Sequence, residues 1–272
     1  MDIEELKEKA RRIRLATINA IHVAGTGHAG GALSIADLLA VLYFDEMRVR
    51  PTEPDWQERD RFVLSKGHAC TSLYAALAEC GYFPAEELST LRQYGSRLQG
   101  HPDMKATPGL DMSSGSLGQG LSIASGMALA GKLQNASYRV YALLGDGELE
   151  EGQIWEAAMA ARRYALDNLI AIVDANGLQI NGSVEDVAGL SDIEGRFTSF
   201  GWHVLSIDGH DIAAIRGAFA AARETSDVPT VIVAHTVKGK GISYMENQAK
   251  WHSGTPSEDE YRMAVRELGG EA

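Results

Sequence analysis

The amino-acid sequence predicts an α/β fold in which a mainly parallel sheet carries helices on both faces. Apolar, β-rich runs of strand length alternate with helical segments, which is the order typical of parallel sheets. The chain has 272 residues, 45% of them hydrophobic, and can form one large domain with an ample core. No internal repeat or low-complexity linker divides it. We therefore expect a single domain over residues 1–272, with an N-terminal helical extension at about 1–47.

The N-terminal part of the chain is predicted to be helical. Leucine, isoleucine and alanine recur at helical intervals among charged residues over 3–24, which predicts an amphipathic helix. The segment 34–37, Ser-Ile-Ala-Asp, has the pattern of a capping box and predicts a second helix to about Met47. The connection 48–60 contains two prolines and is expected to be a surface loop.

The remaining elements follow from the same patterns. Strands are predicted at 61–65, 138–144, 169–175, 202–207 and 230–234. Helices are predicted at 69–80, 121–133, 191–200, 211–223 and 257–268, with another between the second and third strands. The loop 236–254 has a length that is usually functional or mobile in compact domains.

The segment 145–178 holds the most informative pattern. One strand runs into Gly145-Asp146-Gly147, a helix follows, and a second strand ends just before Asn176. In a parallel βαβ unit both strand ends open on the same edge of the sheet, so Asp146 and Asn176 are expected to lie side by side. Their oxygens and a free backbone carbonyl suit Mg²⁺, and the glycines let a diphosphate approach the backbone and the next helix. This pattern indicates a metal-diphosphate clamp, although each turn alone also suits a plain tight turn.

Composition narrows the classes of partner and compartment. A formal net charge of −12 argues against a nucleic acid or an anionic membrane, because phosphate groups are met by basic surfaces. No window has the apolar length of a membrane span, and the N-terminus lacks the apolar core of a secretory signal. Cys70 and Cys80 lie in one predicted helix without disulfide or metal-ligand spacing. We therefore expect a cytoplasmic protein.

Four histidines follow or adjoin glycine turns: His28, His68, His101 and His252. Each one alone is better explained as a satisfied loop histidine than as a catalytic residue, and no pair has zinc-ligand spacing. The glycines at 25–30 have the dinucleotide-binding spacing, but they follow a helix rather than a strand, so an NAD site is excluded. The four histidines and the clamp together are similar to the active-site set of one family.

That family is transketolase, and four motifs carry the resemblance. They are Gly-Ser-Arg-x-x-Gly-His-Pro at 95–102, Gly-Ser-Leu-Gly-Gln-Gly at 115–120, Gly-Asp-Gly-Glu-Leu-Glu-Glu-Gly at 145–152 and Lys-Gly-Lys-Gly at 238–241. They occur in the order of the family, so nearly the whole chain resembles its diphosphate-binding domain. The resemblance implies the thiamine diphosphate-binding fold, with thiamine diphosphate and Mg²⁺ as cofactors, or Ca²⁺ or Mn²⁺ in place of Mg²⁺.

The resemblance also implies a role for each matching residue. The metal would be held by Asp146, Asn176 and the carbonyl of Leu178. Contacts to the cofactor would come from His68, Gly115, Leu117, Gly147, Asn176, Ile180 and His252. The implied catalytic residues are His28 and His101, which would bond the ketose hydroxyls, together with Glu151 and His252. Glu151 would reach the activating glutamate of a partner chain, whereas we interpret Glu148 and Glu150 as plain first-turn acids favoured by the helix dipole.

Transketolase carries two further domains, and this chain ends after the first, so it resembles the N-terminal subunit of a two-chain transketolase. The implied partner is a C-terminal subunit with the pyrimidine-binding domain, in an α₂β₂ heterotetramer. The implied reaction transfers a two-carbon ketol unit between a ketose and an aldose, either of which can be a sugar phosphate. The chain alone is expected to be inactive. Ala29 stands where the family usually has proline, which leaves the identity of the donor sugar open.

Two alternatives remain open. The α subunit of a 2-oxo acid dehydrogenase or decarboxylase would share Asp146 and Asn176. It need not carry His28, His68 and His101 together, and those histidines suit a polyhydroxylated sugar better than an oxo acid. The other alternative is a non-catalytic, cofactor-binding subunit, which the intact clamp positions favour less.

Overall fold

A five-stranded parallel sheet forms the centre of the computed structural model, which describes residues 1–271. Along the chain the strands are β1 (Arg61–Leu64), β2 (Val140–Gly145), β3 (Leu169–Ala175), β4 (Leu178–Gln179), β5 (Gly182–Ser183), β6 (His203–Asp208) and β7 (Thr230–His235). The sheet has the order β1-β2-β3-β7-β6, and every neighbouring pair in it is parallel. Strands β4 and β5 form a separate antiparallel hairpin.

Helices cover both faces of this sheet. They are α1 (Ile3–Ala24), α2 (Ala29–Leu33), α3 (Ala36–Val41), α4 (Cys70–Cys80), α5 (Gln119–Leu133), α6 (Gly152–Arg163), α7 (Val184–Ala188), α8 (Ile193–Ser199), α9 (Ile212–Glu224) and α10 (Glu258–Glu267). A π-helical turn, Leu42–Glu46, continues α3. Short 3₁₀ turns lie at Gly67–Ala69, Ala85–Thr90, Gly147–Glu150 and Ala249–His252.

Side chains of the central strands alternate between two cores. On β2, Tyr141 and Leu143 belong to the core formed with α1, α3, α4 and α9. Val140, Ala142 and Leu144 belong to the core formed with α5 and α6. A strand buried on both faces needs apolar residues at nearly every position, which is why β2 is a continuous apolar run. The predicted α/β class, with helices on both faces of a parallel sheet, is confirmed.

The predicted amphipathic helix at 3–24 is present as α1. It begins with a capping box in which Asp2 and Glu5 each accept the other's backbone N–H, at 2.8 Å. It ends at Ala24 and is followed by Gly25, whose φ of +65° lies in the left-handed region that glycine favours. Its buried face, which includes Leu6, packs into the same core as the sheet.

The predicted capping box of the second helix is wrong, because both of its polar side chains bind elsewhere. The Ser34 hydroxyl donates to the Gly31 carbonyl at 3.1 Å and to the Asp174 carboxylate at 2.8 Å. The Asp37 carboxylate accepts from the Arg14 guanidinium, with one contact at 3.2 Å. These partners lie on other elements, so the four-residue pattern could not reveal them.

The other predicted helices and strands are present, with ends shifted by no more than two residues. The hairpin of β4 and β5 and the short helix α7 escaped prediction, because elements of two to five residues carry too little periodicity. No helix within residues 1–271 combines the length and apolar character needed to cross a membrane.

The carboxyl ends of the strands bring polar residues to one edge of the sheet. Gly145 on β2 pairs with Asp174 on β3, and the Asp146 amide donates to the Asp174 carbonyl at 3.3 Å. Asn176 follows β3 directly. Asp146 and Asn176 therefore lie at adjacent strand ends, as the βαβ argument predicts.

Two glycines of α5 provide a matched test of how this helix packs beside β1. A Cβ built on Gly120 would meet the side chain of Ser65 and lie 2.8 Å from its Cα, whereas one on Gly126 meets no atom within 4 Å. We expect Gly120→Ala to lower the free energy of unfolding by about 1–3 kcal/mol, because helix and strand must move apart. Gly126→Ala should raise it by up to about 1 kcal/mol through helix propensity. Urea unfolding measures both, and equal effects of the two variants would contradict this packing.

Candidate active site

A cavity of about 230 Å³ opens at the carboxyl edge of the sheet. The predicted site residues that line it are His28, His68, Gly115, Leu117, Asp146, Gly147, Asn176, Leu178, Ile180 and His252. Lys66 and Lys238, for which no role was predicted, line it as well. The fold thus brings together side chains from distant parts of the chain.

Asp146 is buried and held by two backbone amides. Its carboxylate accepts from the Gly147 N–H at 2.8 Å and from the Gly177 N–H at 2.5 Å. Burial, and then the negative charge of Asp174, raise the pKa of Asp146 to about 6, although both amides act in the opposite direction. A bound cation would offset both causes, so this carboxylate is well placed as a metal ligand.

Asn176 presents its amide oxygen in a fixed direction. Its Nδ2 donates to Asp174 Oδ2 at 2.9 Å, and its Oδ1 accepts from the Leu178 N–H at 3.1 Å. The Leu178 carbonyl accepts from Lys238 Nζ at 3.2 Å. A cluster of three or more His, Cys, Asp or Glu side chains suited to a metal does not occur within residues 1–271. A metal in this cavity would therefore be bound by the Asp146 carboxylate together with the Asn176 amide oxygen and the Leu178 carbonyl. Such hard oxygen ligands suit Mg²⁺.

A buried ion pair between Lys66 and Asp174 supports this corner of the site. Lys66 Nζ donates to Asp174 Oδ2 and to the Gly31 carbonyl, each at 2.6 Å. The hydroxyls of Ser34 and Thr236 also donate to Asp174. Burial acts to raise the pKa of Asp174, but the Lys66 charge and these hydrogen bonds hold it below its usual value. The sequence contained one signal for this ion pair, which is an aspartate inside an apolar strand. A buried charge of this kind requires a buried partner.

Lys238 is the second buried lysine of the cavity. Its Nζ lies 3.3 Å from His252 Nδ1. Burial, followed by the charge of Lys66, lowers the pKa of Lys238 to about 8. An anionic ligand would offset both causes, so the cavity favours an anion beside the cation site. The signal in the sequence was the Lys-Gly-Lys-Gly motif, which contributed to the resemblance without a role for this lysine.

Glu148 is not the plain first-turn acid predicted for it. It is buried in the 3₁₀ turn before α6, and its carboxylate accepts from the Ser65 hydroxyl, the Gly118 N–H at 2.9 Å and the Gly145 N–H at 3.0 Å. One carboxylate therefore ties the ends of β1 and β2 to the loop before α5. The helix-dipole interpretation failed because it considered only the local turn. Glu150 is exposed, as expected of such an acid.

Three of the four predicted histidines meet in the cavity. The ring centroids of His28, His68 and His252 lie 5.0 to 5.7 Å apart. Burial, strengthened by nearby cationic groups, lowers the pKa of His28 to about 4, that of His68 to about 2 and that of His252 to about 4. These imidazoles are therefore neutral near pH 7 and act through hydrogen bonds.

His101 and Glu151 lie outside the lining of the cavity. His101 is exposed, and its ring packs against Gly115, where a Cβ would lie 3.3 Å from the ring. Glu151 is exposed, and its side chain packs against Gly118. Ile180 lines the cavity but is 68% exposed. All three residues are exposed rather than enclosed by the fold.

The residues present fit a divalent metal with a diphosphate. Oxygen donors suited to the metal and the Lys238 ammonium suited to the anion face the same cavity, beside Lys66, which is paired with Asp174. A Cβ on Gly31 would lie 3.5 Å from Lys66 Nζ and 3.8 Å from His68 Nε2. A side chain at this position would fill the space between those two groups, so glycine keeps it open.

Comparisons with known proteins point to one family. The family model described as "Transketolase, thiamine diphosphate binding domain" matches residues 6–272. One subunit of the apulose-4-phosphate transketolase of Phocaeicola vulgatus is 45% identical over 268 residues, which are 98% of this chain and 95% of that protein. The 6-deoxy-6-sulfo-D-fructose transketolase subunit SqwG of Clostridium sp. (strain MSTE9) is 47% identical over 264 residues, 97% of this chain and 96% of that protein.

Solved structures give the same result for the fold. The crystal structure of transketolase from Campylobacter jejuni matches with a TM-score of 0.93 and 35% identity. The match covers 100% of this chain and 44% of that one, so the chain spans less than half the length of the solved transketolase. The resemblance stated from the sequence motifs, and the fold that it implies, are confirmed.

Because the three histidines are neutral in the folded chain, the free energy of unfolding should depend on pH. The unfolded chain takes up protons on these histidines below about pH 6.5, whereas the folded chain does not until about pH 4, so the free energy of unfolding falls as the pH falls through this range. We expect His68→Gln to make this slope shallower by about 1.4 kcal/mol per pH unit, the contribution of one proton. Urea unfolding of both proteins between pH 6.5 and 4.5 measures the slopes. Parallel curves would show that His68 is not kept neutral by the fold.

Proposed function

Because this chain belongs to the transketolase family, as its thiamine diphosphate-binding domain, we propose that it is the N-terminal subunit of a two-chain transketolase. With a partner subunit it transfers a two-carbon ketol unit from a ketose to an aldose. Two relatives named as transketolase subunits support this proposal, because the alignment spans 95% and 96% of their own lengths.

The presence of three oxygen donors in the lining of one cavity carries the proposal. They belong to the Asp146 carboxylate, the Asn176 amide and the Leu178 carbonyl, and we assign them to the divalent metal. Lys238 beside them offers a positive charge to the diphosphate. Mg²⁺ suits this set, and Ca²⁺ or Mn²⁺ can replace it because both also accept oxygen ligands.

Thiamine diphosphate, when bound, supplies the carbanion chemistry of ketol transfer. The residues of this chain bind and orient it. We assign the diphosphate to His68, Gly147 and His252, and the rings to the backbone of Gly115 and Leu117 with Ile180 packed nearby. All six residues line the cavity, which supports the assignment.

The histidines suit a polyhydroxylated substrate. His28 and His101 are assigned to the ketose hydroxyls and to proton movement at its carbonyl, with His252 beside them. Neutral imidazoles can both donate to and accept from hydroxyl groups. The relatives are named for apulose-4-phosphate and 6-deoxy-6-sulfo-D-fructose, both sugars with an anionic group. We propose a sugar phosphate, or a similarly anionic sugar, as the substrate.

The partner is assigned as the C-terminal transketolase subunit with the pyrimidine-binding domain. Glu151 is exposed and packs against Gly118, which follows Leu117 of the cavity lining, so an activating glutamate of that partner can reach it. Two carboxyl groups that share a proton there would titrate as a coupled pair. We propose an α₂β₂ assembly, because the cofactor would lie between two chains. Sizing of the purified pair tests this, and a 1:1 dimer at working concentration would refute it.

We place the pair in the cytoplasm. Cys70 and Cys80 are both free thiols. Burial raises the pKa of Cys70 to about 12 and that of Cys80 to about 11, so both stay protonated and unreactive. Free thiols of this kind fit a reducing compartment.

The proposed function predicts a partner-dependent activity that requires Asp146. The chain alone should not transfer a ketol group, whereas the purified pair with Mg²⁺ and thiamine diphosphate should act on a ketose phosphate and an aldose phosphate. Asp146→Ala should weaken cofactor binding by at least about 100-fold, because loss of even an outer-shell partner of a metal costs about 10–100-fold. Titration calorimetry measures the binding, and a coupled assay measures the transfer.

Asp55→Asn is the control, because Asp55 is exposed and does not line the cavity. It should leave both measurements unchanged. Full activity of the Asp146→Ala pair would refute the metal site. Decarboxylation of an oxo acid by the wild-type pair, without ketol transfer, would favour an α subunit of an oxo-acid enzyme instead.

A further inference from the structure

Arg92 lies against His28, and its guanidinium has few other partners. Arg92 Nη2 lies 3.3 Å from His28 Nδ1 and 3.5 Å from the Gly100 carbonyl. Its Nε is buried and has no hydrogen-bond partner among the described residues. A partly buried guanidinium is usually paired with a carboxylate, so one without such a partner suggests a functional role for its charge. The main polar contact that the fold gives it is the imidazole.

The loop is shaped to seat this guanidinium. Arg92 has a φ of +61°, which a residue other than glycine rarely adopts, and its N–H donates to the Leu98 carbonyl at 2.8 Å. A Cβ on Gly100 would lie 2.8 Å from Arg92 Cζ, so the glycine is required for the guanidinium to fit. The backbone conformation at Arg92 and the space left by Gly100 together allow the guanidinium to lie against His28.

The chemistry of this contact determines which nitrogen of His28 carries the proton. A guanidinium has only donors, so Nδ1 of His28 must be the acceptor. In a neutral imidazole the proton then lies on Nε2. The titratable groups that face His28 are all basic, and they are Arg92, His101, Lys238, His68 and His252. None of these basic groups stabilises a protonated ring, so the His28 imidazole stays neutral. Because its Nδ1 accepts from Arg92, the neutral ring keeps the Nε2–H tautomer.

We propose that Arg92 is a positioning residue for His28, which it holds in the neutral Nε2–H tautomer so that this N–H is the donor offered to a ketose hydroxyl. The identity of the acceptor rests on the proposed function, but the tautomer is a property of the chain itself. Loss of the guanidinium leaves Nδ1 free to take the proton, and the ring would then turn a lone pair toward the substrate for part of the time.

NMR of the full chain with ¹⁵N-labelled histidine tests the proposal, with His28→Gln to assign the signals. Long-range ¹H–¹⁵N correlations should show a single Nε2–H tautomer of His28 in the wild type. Arg92→Met should give a mixture of tautomers and raise the pKa of His28 by about one unit, because a nearby positive charge is lost. Arg92→Gln keeps a donor without the charge, so the pKa should rise while the tautomer is kept. Arg92→Lys keeps both and should resemble the wild type.

Arg97→Met is the matched control, because Arg97 lies in the same loop but pairs with Glu87 at 2.8 Å. It should change neither the tautomer nor the titration of His28. The proposal is overturned if a folded Arg92→Met chain gives the same His28 spectra as this control. Should Arg92→Met not fold, the Arg92→Gln chain decides the matter, and an unchanged pKa of His28 in it overturns the proposal equally.

Kinetics of the pair separate this inference from the proposed function. Arg92→Met should lower kcat/KM for the ketose by about tenfold or more, because a misdirected donor loses substrate orientation, while the affinity for thiamine diphosphate stays that of the wild type. A loss of cofactor affinity equal to the loss of kcat/KM would indicate a merely structural role and overturn the proposal. If no variant and no wild-type pair transfers a ketol group, the proposed function fails while the NMR result still decides the role of Arg92.

Discussion

The buried carboxylate of Asp174 is the constraint on which the rest of the site depends. It accepts hydrogen bonds from Ser34, Lys66, Asn176 and Thr236. These donors lie between α2 and α3, after β1, after β3 and after β7, so one side chain joins four segments at the edge of the sheet. Removal of its charge would leave the Lys66 ammonium unpaired at a position with 2% exposure. Breaking a buried pair of this kind is strongly destabilising, whereas the intact pair is fully satisfied.

The same network determines which charges remain available in the cavity. Lys66 is neutralised by Asp174, so Asp146 and Lys238 are left as a carboxylate and an ammonium without a salt bridge to each other. A divalent cation is attracted to the first and an anion to the second, which is the pairing that a metal diphosphate brings. The half-buried histidines of the cavity are neutral, so they add hydrogen-bonding capacity without adding charge. Asn176 contributes an uncharged amide oxygen in a fixed direction, because its amide nitrogen donates to Asp174.

The sequence could predict the parts of the site that topology determines. Asp146 and Asn176 are brought together by the βαβ rule, which needs only the order of strand, turn, helix and strand. Glu148 could not be assigned correctly, because two of its three partners come from segments far away in the chain. The capping role predicted for Ser34 was wrong for the same reason. The local sequence pattern suggested a helix cap, whereas the Ser34 hydroxyl donates a hydrogen bond to the distant carboxylate of Asp174. The role of Arg92 was not predicted, because no sequence pattern marks an arginine whose backbone adopts a positive φ.

We propose that Asp174 fixes Asn176 so that three oxygens bind one metal ion. Crystals of the chain with its partner, thiamine diphosphate and Mn²⁺, measured at a wavelength where manganese scatters anomalously, test it most directly. We expect one strong anomalous peak between the Asp146 carboxylate, Asn176 Oδ1 and the Leu178 carbonyl, with the Asn176 amide nitrogen still donating to Asp174. A manganese peak among the histidines instead, with the Asn176 amide turned away from Asp174, would contradict this metal site.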